Sequence, residues 1–133
     1  MMKQDYISVP HQKWGIVIIH NFNTNEDYVE LMAIMRSFGM THLKAKKALN
    51  ILSNFNTGMT ISVPNLKMSA IFIADATSNS QWWDTAIHEI KHTADHIIEY
   101  YDVRWNSEDA AYLTGYLTKE LVETVGEPCT NAV

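Results

Sequence analysis

Residues 88 to 92 read HEIKH. An α-helix has about 3.6 residues per turn, so His88 and His92 fall one turn apart on one face. Both imidazoles can then reach one ion. Zinc takes imidazole nitrogen at about 2.0–2.1 Å, a reach that two ligands one turn apart match. Glu89 is the next residue after His88, so it stands beside the ion and does not bind it. From there it can take a proton from a metal-bound water, whose pKa the ion lowers from about 16 to near 7. The pattern predicts metal-assisted hydrolysis, with Zn2+ as cofactor, His88 and His92 as ligands and Glu89 as general base.

The elements around the motif follow from the spacing of apolar residues. Trp14 to His20 is β-branched and bounded by polar residues, which predicts a buried strand. A polar loop, Asn21 to Asn25, ends in a residue able to cap a helix over Glu26 to Phe38, with Gly39 as its stop. Thr41 can cap a second helix to about Ser53, with Leu43, Leu49 and Leu52 inward. Asn56-Thr57-Gly58 signals a turn. Strands over Met59 to Val63 and Met68 to Ala74, with Pro64-Asn65 between them, predict a hairpin. Ser78 and Gln81 have capping-box spacing for a third helix. Its apolar positions Ile87, Ile90, Ala94, Ile97 and Tyr101 follow a helical period. After a turn at Asp102 to Asn106, Asn106 or Ser107 caps a last helix through about Val125. That helix turns Ala110, Leu113, Leu117 and Leu121 inward and ends at Gly126 and Pro128. The order is β-α-α-β-β-α-α. It predicts one α+β domain over residues 1 to 133, with a small mixed or antiparallel sheet and two C-terminal helices packed as a hairpin that carries the metal site.

Composition narrows the partners. The chain has 133 residues, 47% of them hydrophobic, enough for the core of one domain. The net charge of -5 argues against nucleic acid, because a phosphate backbone needs a basic footprint. Lys44, Lys46 and Lys47 read as the wet face of a helix. Cys129 is the only cysteine, so no internal disulfide forms. The N-terminus lacks the apolar stretch of a signal peptide, and the run Gly15 to Ile19 is too short to span a bilayer. These features predict a cytoplasmic protein with no membrane partner.

HEIKH after a strand, followed by a helix beginning SEDAAY, resembles the compact gluzincin-type zincins. Similar arrangements occur in small phage and mobile-element proteins and in the peptidase halves of bacterial regulators related to ImmA and IrrE. The resemblance covers roughly residues 68 to 125. It implies a zinc metallopeptidase acting on a peptide or protein, with the strand before the metal helix lining the substrate groove. It also implies an acidic third ligand on the following helix, and the matching residue is Glu108 in Glu108-Asp109-Ala110-Ala111.

Helix geometry leaves other third ligands open. If the metal helix runs straight to Tyr101, nine residues rise about 13 Å and carry Glu108 to its far end. In a symmetric hairpin, Tyr116 lies opposite His92 and Glu120 opposite His88. His96 continues the histidine stripe, about 6 Å further along the axis. Acids also favour the first turn of any helix because of its dipole, which accounts for Glu108 without a metal. Tyr112 or Tyr116 can steady an oxyanion during attack on a carbonyl, and equally can serve as packing residues with a wet tip. Gly115 either lets the two C-terminal helices approach closely or is a tolerated glycine. Trp82 and Trp83 fit a staple onto the sheet better than a groove wall. The competing function is a catalytically silent zincin-like binding or regulatory module.

Overall fold

The computed structural model describes residues 1–101 and 107–126. The expected turn at Asp102 to Asn106, the possible cap at Asn106, and Pro128 and Cys129 lie outside the described residues.

The chain is α+β, with a four-stranded mixed sheet and four α-helices. In order the elements are β1 (Lys3–Val9), β2 (Trp14–His20), α1 (Tyr28–Ser37), α2 (His42–Leu52), β3 (Gly58–Val63), a 3₁₀ turn (Pro64–Leu66), β4 (Met68–Ile73), α3 (Asn79–Tyr101) and α4 (Ser107–Val125). The expected order lacked β1. That strand alternates, turning Ile7 and Val9 inward and leaving Lys3, Gln4, Tyr6 and Ser8 exposed. It pairs along its whole length with β2, Lys3 opposite His20 and Val9 opposite Trp14. Only two of its side chains join the apolar core, too few to stand out as a strand beside β2.

The sheet order is β1-β2-β4-β3. β2 and β4 run parallel through the centre, with Gly15 opposite Met68 and His20 opposite Ile73. β3 pairs antiparallel with β4 and forms one edge. Helices cover both faces. Ile19, Phe72 and Ala70 pack on Leu31, Met35, Leu49 and Leu52 of α1 and α2. Ile16, Ile18, Ile71 and Ile73 pack on Ile90 and Ile97 of α3 and on Leu113, Leu117 and Leu121 of α4. This face-by-face alternation is the period-2 geometry of strands.

Several local expectations hold. Thr41 Oγ1 accepts from the Lys44 N–H at 3.2 Å as the cap of α2. Ser78 Oγ accepts from the Gln81 N–H at 3.1 Å at the start of α3. Gly39 and Gly126 take positive φ angles of 90° and 67°, as helix stops require. Trp82 is buried and meets His20 of β2 edge-on, so it staples α3 to the sheet. Gly115 has open space around it and brings no helix closer.

Others are corrected. Asn25 does not cap α1: its N–H, like that of Glu26, is held by Asn23 Oδ1, and the helix begins after Asp27. Leu43 is exposed, because α2 buries Ala45, Ala48, Leu49 and Leu52, and a residue two before Ala45 lies about 200° round the helix. Ile87 is likewise exposed, being one residue past the buried Ala86. β4 cannot take a peptide strand, since β2 and β3 occupy both its edges. The free edge on the α3 side belongs to β3.

Candidate functional site

The HEIKH residues lie in the middle of α3. That helix buries Trp82, Thr85, Ala86, Glu89, Ile90, Thr93, Ala94 and Ile97 against the sheet. His88 and His92 fall just off this stripe and are exposed. Their rings meet nearly edge-on, with centroids 4.7 Å apart and planes at 77°. The two Nε2 atoms converge to 3.1 Å. Two nitrogens at about 2.05 Å from one tetrahedral ion stand about 3.3 Å apart, so the pair already has the bite of two zinc ligands.

Glu89 is buried, not exposed as a helix-surface residue would be. β3 explains why. Its even-numbered positions Gly58, Thr60 and Ser62 face α3. Thr60 Oγ1 donates to Glu89 Oε1 at 2.8 Å and also lies 3.2 Å from the Glu89 carbonyl. A β-carbon on Gly58 would stand 3.0 Å from Glu89 Cγ, 3.1 Å from Glu89 Oε2 and 2.8 Å from Thr85 Cγ2. Glycine at position 58 is what lets the carboxylate lie against the strand. His88 and Glu89 line one cavity of about 310 Å³ with Gly58, Thr57, Asp84 and Ile51. Lys91 points away from it and pairs with Asp95 at 2.5 Å on the exposed side of α3.

Thr60, Gly58 and Asp84 have no place in the motif. Asp84 is detectable, four residues before His88 and so on the same helical stripe. Gly58 reads as a turn residue. Thr60 is one hydroxyl in a short strand, with no signal of its own.

The structure does not bring Glu108, Glu120 or Tyr116 to the histidine pair. α3 runs unbroken to Tyr101, so the start of α4 meets its far end. α4 also lies over β1, whereas α3 lies over β4 and β3. β1 and β3 are three strand spacings apart, about 14 Å. Tyr116 donates to the Ser8 carbonyl of β1 at 3.2 Å. Its neighbours line a separate cavity with Val9, Pro10, His11 and Gln12. Partial burial first, and then the nearby Glu120 and Glu123 carboxylates, push the Tyr116 phenol above its ordinary value. Tyr112 is exposed and holds no position near HEIKH.

His96 Nδ1 is engaged in a 2.6 Å hydrogen bond with Ser62 Oγ. Among the described residues, no group of three or more His, Cys, Asp or Glu side chains is placed to hold a metal. The residues present thus fit two corners of a zinc site, on the convergence of His88 and His92. No helix among the described residues is long and apolar enough to cross a membrane. No family model, curated protein or solved structure matches the chain.

Proposed function

We propose that the chain is a zinc-dependent hydrolase of peptide bonds, with His88 and His92 holding the ion and Glu89 as general base. The observation that carries this reading is the 3.1 Å convergence of the two Nε2 atoms, with Glu89 and His88 lining the same cavity. Zinc would supply Lewis acidity, polarising a carbonyl and acidifying water. The protein's own part is orientation and proton transfer. Thr60 holds Oε1 of Glu89, so the carboxylate keeps one position beside the cavity. A base held in that way takes a proton from water and returns it to the leaving amine. β3 is a sheet edge next to α3, and an extended peptide can add to it through main-chain hydrogen bonds.

A second reading is a zinc-binding or regulatory module without turnover. It is favoured by α4 lying over β1, away from the histidines, so that its acids do not complete the ligand set. A peptide-library digest separates the two. The zinc-loaded chain cleaves in a chelator-sensitive manner if the first reading holds. Glu89→Gln keeps its zinc, since Glu89 is not a ligand, and loses cleavage at least about a hundredfold. Cleavage that persists unchanged in Glu89→Gln removes Glu89 from the mechanism. Zinc loading without any cleavage favours the module.

A further inference from the structure

α3 and β3 meet again one turn beyond His92, through groups the first site does not use. Ser62 Oγ lies 2.6 Å from His96 Nδ1 and 2.7 Å from Ser69 Oγ. The buried Trp14 donates its indole N–H to Ser69 Oγ at 2.9 Å. An indole nitrogen is a donor only, so it sets the direction of the chain. Ser69 is fully buried, and its proton has Ser62 as acceptor. Ser62 then gives its own proton to His96 Nδ1, and the imidazole carries its hydrogen on Nε2. The opposite direction would send two donors into Ser69 and strand its hydroxyl proton inside the core, which buried hydroxyls avoid.

We infer that Ser62 is a nucleophile with His96 as its base, and that this pair hydrolyses compact neutral or cationic esters. A hydroxyl already aimed at an imidazole is the arrangement that activates serine. The hydrogen bond Ser62 accepts from Ser69 stabilises its oxygen as it gains charge. Both residues line a cavity of about 360 Å³ with Pro64, Tyr100 and Glu99. Pro64 and Tyr100 suit a small apolar acyl group, and the Glu99 carboxylate repels anionic substrates. Ser62 Oγ bonds to the ester carbonyl carbon while its proton passes to His96 Nδ1. The bond from that carbon to the leaving oxygen breaks, and the alcohol departs with the proton from His96. Water then attacks the acyl carbon and gives a proton to His96, the bond from that carbon to Ser62 Oγ breaks, and His96 returns the proton to Oγ as the acid leaves. The net reaction is ester plus water to acid plus alcohol.

The test uses the full chain and p-nitrophenyl acetate, with acid quench, intact mass and peptide mapping. One acetyl group per chain on Ser62, with a matching burst of nitrophenolate, is expected. A chelator leaves the burst unchanged, which separates this site from the zinc reading. His96→Ala slows acetylation of Ser62 at least about a hundredfold. His96→Gln retains a side-chain acceptor for Ser62, so it guards against misfolding, and it slows the reaction equally. Acetyl groups elsewhere with Ser62 unmodified overturn the inference. So does an undiminished Ser62 rate in folded His96→Gln.

Discussion

Thr60 and Glu89 are joined by a 2.8 Å hydrogen bond from the threonine hydroxyl to Oε1, which ties the acid of HEIKH to the edge strand of the sheet. The bond makes Glu89 a structural residue as well as a candidate base. Thr60→Val keeps the shape of the side chain and removes the donor. A buried acceptor that loses its partner costs about 1–3 kcal/mol, and that loss is expected in the urea unfolding midpoint. Thr60→Ser restores the donor and most of the stability. Equal midpoints for wild type, Thr60→Val and Thr60→Ser would show that the bond contributes nothing.

Gly58 is expected to resist even alanine. The added methyl would stand 2.8 Å from Thr85 Cγ2 and 3.0 Å from Glu89 Cγ, both on a packed helix. Overpacking of this kind costs about 1–3 kcal/mol, so Gly58→Ala should lower the unfolding midpoint. The change also presses on the Glu89 carboxylate. Thermal unfolding indistinguishable from wild type would mean that α3 moves away from β3 without penalty.

The helices and central strands were legible because their burial follows simple periods. Leu113, Leu117 and Leu121 are buried at the expected spacing, and β2 is buried along nearly its full length. The convergence of His88 and His92 follows from helix geometry alone. What escaped depended on contacts between distant segments. β1 is a polar edge strand whose two buried residues mean little until β2 lies beside it. The burial of Glu89 is decided by Gly58 and Thr60, about thirty residues away, and a helical wheel cannot show it. Glu108 and Tyr116 were placed by family resemblance and by a symmetric hairpin. Neither takes account of α4 crossing to β1.

Zinc binding should follow that geometry. His88→Ala or His92→Ala removes one of two converging nitrogens and is expected to abolish binding in competition with a chromophoric chelator. Glu108→Ala and Glu120→Ala are expected to leave it unchanged, because α4 lies over β1. A loss of zinc affinity in Glu108→Ala comparable to that in His88→Ala would require α4 to reach the histidine flank.

Tyr116 gives a prediction for alkaline solution. Burial and the neighbouring Glu120 and Glu123 carboxylates disfavour its phenolate, so the folded chain holds the proton more tightly than the unfolded chain does. For a group whose folded pKa is raised, the stabilisation is fully present below the unfolded value of 10.0 and is lost as pH rises through the folded value. Tyr116→Phe removes this titration together with the hydrogen bond to Ser8. The difference in stability between wild type and Tyr116→Phe should therefore be constant near neutral pH and shrink above about pH 10. Taking the difference cancels the titration of the other tyrosines. The effect is modest because the side chain is only half-buried and solvent screens the carboxylates. Glu120→Gln removes the nearer charge and brings the folded pKa closer to the unfolded one, so in that background the difference shrinks by less above about pH 10. Urea midpoints measured across this range decide the matter. A difference that stays flat, or widens, as pH rises would show that the phenol is not held protonated by its neighbours.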